Sequence, residues 1–299
     1  MFFEFLTPFL RYVIQTWSTQ RVLMLTHVKE LIVQNAEKLL AQWPTAPLGI
    51  YSAGLNKREH FAPIVFGGVQ SIANLLKKDP WALGHRDLVV IDECHLLGPK
   101  DTTQYQQVLQ ALRDINPQIR VIGLTATPFR LRVGRITDGE GLFDALAYDL
   151  CHFDKFNQLL DEGHLCPLIP FQTSTRLDVS GVKILGGEYN GKELEAAVNK
   201  DEITYAACEE MVRQGYDRAS WLVFASGIAH AESISSMLQS FGISAACTHS
   251  HLSSGENDRI IQAFKRGEIR ALVNNNKLTT GFDHPNIDLI GMLRPTKSP

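Results

Sequence analysis

The chain has 299 residues, enough for about two domains. Apolar residues make up 44% and charged residues 20%, so ordinary cores can form and a disordered chain is excluded. With 29 basic and 32 acidic side chains, the net charge of −3 excludes a polybasic protein but not a local phosphate-binding track.

No apolar run approaches the roughly 18 residues that span a bilayer, so no membrane partner is expected. The apolar start carries Glu4 and Arg11 and lacks a basic leader and a small-residue cleavage site, so it does not read as a signal peptide. The cysteines (Cys94, Cys151, Cys166, Cys208 and Cys247) are odd in number and widely spaced. That pattern suits reduced thiols and a cytoplasmic location.

In chain order, Phe5, Phe9, Leu10, Val13 and Ile14 recur at helical spacing and predict an opening helix. Short runs rich in Val, Ile and Leu follow at 21–25, 64–66, 88–91 and 120–124, then at 221–225, 245–247, 270–273 and 289–293. Such runs suit strands buried on both faces of a parallel sheet. Between them lie helix patterns. Residues 28–40 place Leu31, Ile32, Asn35, Ala36 and Leu39 on one stripe, and 105–115 repeat the period. Ser253 and Glu256 have capping-box spacing ahead of Ile260, Ile261, Ala263 and Phe264. The alternation predicts an α/β protein with two parallel sheets.

Residues 186–191 read as a turn. A break near 163–170 divides the chain into domains 1–165 and 166–299. Residues 1–150 hold 15 basic and 14 acidic side chains and 151–299 hold 14 and 18, so neither half is a basic domain.

Two segments carry chemistry. The apolar strand 88–91 ends in adjacent carboxylates, Asp92 and Glu93. Ligands of open parallel sheets bind at the carboxyl ends of strands, so these acids face a site. In nucleotide hydrolases the first such acid holds Mg²⁺, usually through water, and the second accepts a proton from the attacking water. The plain alternative is a strand followed by an acidic turn. The strand 120–124 ends in Thr125-Ala126-Thr127, two hydroxyls flanking a small residue. Its plain alternative is a Thr-rich strand stopped by Pro128. The 32-residue interval from Asp92 to Leu124 fits strand–helix–strand, which predicts that the two motifs end neighbouring strands.

VVIDECHLL followed by GLTATPFRL resembles motifs II and III of superfamily 2 DNA helicases, closest to the RadD-like branch of DEAD/DEAH-box proteins. LTHVKEL at 25–31, FGGVQSI at 66–72, LVFAS at 222–226 and LTTGFD at 278–283 are similar to motifs Ia, Ib, IV and V, in that order. The resemblance implies two RecA-like parallel-sheet domains, ATP with Mg²⁺ in the cleft between them, and nucleic acid across both. By it, Asp92 and Glu93 are the Walker B acids, with Asp92 on Mg²⁺ through water. Thr125 and Thr127 couple hydrolysis to movement. Thr26, His27, Gly67, Gln70 and Thr279 lie on the nucleic-acid backbone track, and Gly281 and Asp283 lie near the nucleotide. Arg130 sits in the densest basic cluster, 129–135, and is expected on phosphate; a solvated loop is the equal alternative. The RadD-like relatives imply DNA, although the residues themselves do not separate DNA from RNA. The sequence does not specify the oligomeric state.

The family also needs a Gly-rich loop ending Gly-Lys-Thr or Gly-Lys-Ser, whose N–H groups and Lys cradle the phosphates. The 299 residues contain neither tripeptide. Nor do they contain an arginine-rich motif VI of the type Gln-x-x-Gly-Arg-x-x-Arg; Arg294 has the wrong context for its finger. The expectation is a chain truncated at both ends, its first domain lacking the phosphate-loop strand and exposing a sheet edge. An arginine finger alone is worth about 10³–10⁵ in rate, so ATP hydrolysis by this chain is expected to be weak or absent. The readings are an ATP-dependent helicase or translocase (an ATP hydrolase) deficient in turnover, or a non-catalytic nucleic-acid-binding or decoy module. A metal-dependent nuclease is a minor third.

Three weaker constellations remain. Cys151, His152, His164 and Cys166 form a conceivable but poorly spaced zinc set. Cys94 is a weak nucleophile candidate. His249 and His251 read as a loop at the nucleic-acid face.

Overall fold

Alternate residues of each central strand in the first sheet meet different helices, which is why those strands are apolar along their whole length. In the computed structural model, β1 (Val22–Thr26) sends Leu23 and Leu25 into one core and Val22 and Met24 into another. The structure describes residues 2–97, 103–130, 134–137, 143–150, 152–171, 173, 177–185, 188–275, 278 and 282–297. They divide into two compact units, Met1–Leu168 and Ile169–Pro299.

The first unit opens with α1 (Phe2–Thr16), then β1, α2 (Lys29–Gln42), β2 (Leu48–Ser52), β3 (Lys57–Arg58), β4 (Ile64–Gly68) and α3 (Val69–Lys78). It continues with β5 (Leu88–Asp92), α4 (Gln104–Ile115), β6 (Arg120–Leu124), the short pair β7 (Phe129–Arg130) and β8 (Gly134–Arg135), and α5 (Phe153–Asp161). The sheet order is β3-β2-β4-β1-β5-β6, parallel except for β2 against β3. Helices α1 and α2 cover one face with Leu6, Leu10, Ile32, Ala36 and Leu39. Helices α3 and α4 cover the other with Ile72, Ala73, Val108, Leu109 and Leu112. Each fully buried Leu or Ile contributes about 1.5–3 kcal/mol.

At the amino ends of these strands the buried Arg86 donates from Nη2 to His60 O (2.7 Å), from Nη1 to Ala62 O (3.0 Å) and from Nε to Leu83 O (3.1 Å). Burial, then Arg21, lowers its pKa to about 10, partly offset by Asp87. The guanidinium therefore stays charged at neutral pH and ties the loops together.

The second unit runs β9 (Ile184–Leu185), β10 (Glu188–Tyr189), α6 (Gly191–Val198), α7 (Asp201–Gln214), β11 (Trp221–Phe224), α8 (Ile228–Ser240), β12 (Ala245–Thr248), α9 (Ser254–Lys265), β13 (Ala271–Asn274) and β14 (Leu289–Met292). Its main sheet, β12-β13-β11-β14, is parallel throughout. The capping box forms: Ser253 Oγ accepts from Glu256 N (3.2 Å), and Glu256 Oε2 accepts from Ser253 N (3.0 Å).

Three differences from the sequence reading have physical causes. Strand β2 was not expected, because Gly49 and the flanking prolines break its pattern. Strand β6 is not buried on both faces: Arg120 and Ile122 are exposed, since β6 is a sheet edge with β5 as its neighbour. Strand β14 is likewise a half-exposed edge. Among the described residues no helix is long and apolar enough to cross a membrane.

A candidate active site at the acid pair

The carboxyl ends of β1, β4, β5 and β6 lie side by side. Leu25 sits opposite Gly67 and Ile91, and Asp92 opposite Leu124. The acid pair and the threonine pair thus end adjacent strands, as the 32-residue interval implies.

Asp92 accepts two hydrogen bonds. Asn35 Nδ2 on α2 donates to Oδ2 at 3.1 Å, and the Glu93 N–H donates to Oδ1 at 3.0 Å. Burial raises the Asp92 pKa; those two donors and the charge of His27 pull it back down. Burial, then the Asp92 charge, raises Glu93. Glu93 has φ 53° and ψ 46°, in the left-handed region. For a non-Gly residue that conformation costs roughly 1–2 kcal/mol, a local strain held by the surrounding fold.

Glu93 begins a 3₁₀ turn, Cys94–Leu96, which carries His95 toward β6. His95 Nδ1 lies 2.8 Å from Thr125 Oγ1 and 3.3 Å from Glu93 Oε2. Thr125 Oγ1 also accepts from Thr127 N at 3.0 Å. One chain of contacts therefore joins the acid pair to both threonines. Tyr105 on α4 is buried near the same acids, with no partner for its hydroxyl among the described residues. Burial first, then the charges of Asp92, Cys94 and Glu93, push its pKa well up.

Of the other expected residues, Thr26 is buried at the end of β1, His27 is exposed beyond it, and Gln70 is exposed on α3. Gly67 is buried, and an added Cβ would lie 2.7 Å from Ile72 Cγ1, so packing alone requires glycine there. Arg130 lies on β7. Asp283 is exposed in the second unit, while Thr279 and Gly281 lie outside the described residues. Asn35, His95 and Tyr105 were missed. For Asn35 the signal existed: it is a polar residue inside the apolar stripe of α2.

The second unit has its own polar end. Asn274 Nδ2 donates to Val223 O and Asn275 Nδ2 to Ala225 O, both at 3.2 Å. Glu195 on α6 accepts from the His230 N–H at 3.1 Å and so caps α8. Burial lowers the His230 pKa to about 4, against the pull of Glu195.

The weaker constellations fare poorly. Cys151 lies outside the described residues, among which no group of three or more His, Cys, Asp or Glu is placed to hold a metal. Cys94 is buried, and an added Cβ on Gly123 would lie 2.8 Å from its Sγ, so it does not face a substrate. His249 is buried, with Nε2 3.4 Å from Glu232, whereas His251 is exposed in the turn ahead of α9.

A single carboxylate at a strand end fits Mg²⁺ held largely through its own waters. For the triphosphate, the donor set lacks a Gly-Lys-Ser/Thr loop in the 299 residues. The residues present fit the metal end of a nucleotide site and not the phosphate cradle.

An acid pair and a threonine pair end adjacent strands, in a chain with two parallel α/β units. The family described as "Type III restriction enzyme, res subunit" matches residues 7–130, and "Helicase conserved C-terminal domain" matches 204–299. The chain is 26% identical over 280 residues to "Putative ATP-dependent helicase IRC3" of Saccharomyces cerevisiae, covering 92% of this chain and 39% of the relative. It is 28% identical over 279 residues to "Putative mitochondrial ATP-dependent helicase irc3" of Schizosaccharomyces pombe, covering 91% and 43%. The chain thus spans less than half the length of these two relatives. The Mycobacterium smegmatis helicase Lhr, solved bound to ssDNA and AMP-PNP, shares the fold with TM-score 0.55 at 18% identity, over 91% of this chain and 36% of that one. The two matched domains and the helicase relatives support a superfamily 2 helicase, and the structural neighbour makes the parallel-sheet units RecA-like.

Proposed function

We propose that this chain is a DNA helicase or translocase scaffold of the RadD-like branch that binds nucleic acid and, by itself, turns over ATP weakly or not at all. The observation that carries this reading is the Asp92–Glu93–His95–Thr125–Thr127 network at the strand ends, in a sequence without a Gly-Lys-Ser/Thr loop. Asp92 would hold the hydration shell of Mg²⁺, and Glu93 would accept a proton on a carboxylate oxygen from the attacking water. Bound Mg²⁺ supplies charge neutralisation at the phosphates. The raised Glu93 pKa suits a proton acceptor.

Thr26, His27, Gly67, Gln70, Arg130 and Thr279 form the proposed nucleic-acid track, and Gly281 and Asp283 the nucleotide side of the second domain. Domains 1–165 and 166–299 are the proposed functional halves. Hydroxyls and backbone N–H groups hold phosphates without reading sequence, which suits a net-acidic chain. The thiols of Cys94, Cys166, Cys208 and Cys247, which form no disulfide among the described residues, suit the cytoplasm.

The test is ATP binding and hydrolysis by the purified 299-residue chain, with and without Mg²⁺ and single-stranded DNA. DNA binding with little or no ATP turnover is expected. Robust DNA-stimulated hydrolysis, abolished by Glu93→Gln, sinks the deficiency. No DNA binding at all sinks the scaffold reading.

A further inference from the structure

The strand end that carries Thr125 and Thr127 runs on into the β7–β8 hairpin. Phe129 pairs across it with Arg135, and Arg130 with Gly134, while Ile136 N donates to Pro128 O at 3.0 Å to close its base. Phe129 is 53% exposed, although it lies on a paired strand. The Arg135 guanidinium carbon is 5.4 Å from the Phe129 ring centroid. A cation at that distance is attracted by the ring and restricts its orientation.

Sequence adds charge to this geometry. Residues 129–135 contain three arginines and no acidic side chain. A large ring left in solvent beside the Arg135 cation is matched by a ligand with flat apolar faces and negative charge. A single-stranded nucleic acid has both, because each base offers a π-face and each linkage a phosphate. A duplex hides its base faces, and an acidic peptide has the charge without the rings.

We propose that Phe129 stacks on a base of single-stranded nucleic acid, with Arg135 bracing the ring from the opposite strand of the hairpin. This rests on the nucleic-acid reading above and names the base contact within it, as distinct from the phosphate contact expected of Arg130. Only Pro128 separates Phe129 from the end of the threonine motif at Thr127, so a base bound there is coupled by a short covalent path to the acid-pair network.

The test uses the full chain, a fluorescent oligo(dT) strand and an abasic strand of the same length, which keeps the phosphates and removes the bases. Phe129→Ala is expected to weaken oligo(dT) binding roughly 5- to 100-fold. It should leave the abasic strand unchanged. Phe129→Trp should retain oligo(dT) affinity and add Trp emission that oligo(dT) quenches and the abasic strand does not. Circular dichroism confirms that the variants fold. Unchanged oligo(dT) affinity in Phe129→Ala overturns the proposal, and so does equal weakening on both strands. A poly-Glu peptide whose binding is lost with Phe129→Ala overturns it in favour of a peptide ligand. If the native chain binds the abasic strand as tightly as oligo(dT), stacking fails while the phosphate track stands. If it binds neither strand, the nucleic-acid reading itself fails.

Discussion

His95 Nδ1 lies 2.8 Å from Thr125 Oγ1 and bridges the ends of β5 and β6. The same nitrogen is 3.3 Å from Glu93 Oε2, and the Thr125 oxygen is held by the Thr127 N–H. The charge state of Glu93 is therefore linked through one ring and one hydroxyl to the backbone of Thr127. That backbone leads directly into the hairpin carrying Phe129.

The first prediction concerns this bridge. A net hydrogen bond of this kind contributes about 0.5–1.5 kcal/mol. A double-mutant cycle of His95→Ala and Thr125→Val, followed by urea unfolding, should return a coupling energy in that range. The single variants alone are ambiguous, because each also changes packing. Additive effects would mean that the contact contributes nothing to stability and that the two strand ends are independent.

The second prediction concerns the acid pair and pH. Glu93 and Asp92 both have pKa values above their ordinary 4.5 and 3.8, mainly through burial. The folded chain therefore keeps these protons to higher pH than the unfolded chain. Their favourable contribution is complete below the unfolded values and is lost as pH rises through the folded ones. Glu93→Gln removes one titration and keeps the side-chain shape. At pH 7, without divalent metal, the variant should be more stable than the native chain by about 0.5–2 kcal/mol. The difference should shrink as pH falls through the raised folded value and be gone below about 4. Urea midpoints at neutral and acid pH measure it. Equal midpoints at pH 7 would show that Glu93 bears no burial penalty.

Much of this site is legible in the residues because the physics is local. An apolar run that stops at two carboxylates is a buried strand reaching water, and the interval to Thr125 has the length of one helix and one strand. The Ser253–Glu256 box is local as well, and it forms. What could not be read depends on neighbours distant in sequence. The apolar residues of β6 announce that two covered faces are possible, but not that a strand lies on only one side. Asn35 follows the helical period of its stripe, and only the packing of α2 over the sheet reveals that Asp92 receives its amide. The capping of α8 by Glu195 joins residues 35 apart and has no signature in either segment.

The third prediction follows from the edges of the first sheet. One edge, β3, is two residues long, and both are cations, Lys57 and Arg58. Short, charged edges resist pairing with other chains. The opposite edge, β6, has five residues, and no described strand pairs along its outer side. Its charge guard is Arg120 alone, and Ile122 is 38% exposed at its centre. A longer apolar edge is a template for strand addition, so the 299-residue chain should self-associate as its concentration rises. Ile122→Lys places a cation in the middle of that edge and should suppress the association. Its side chain is already exposed, so the fold should tolerate the change within about 0.5 kcal/mol. Light scattering across a wide concentration range measures the mass. The native chain should grow heavier while Ile122→Lys stays monomeric with an unchanged circular dichroism spectrum. If the native chain also stays monomeric at every concentration, the β6 edge is protected, and the exposure of Ile122 has no consequence for assembly.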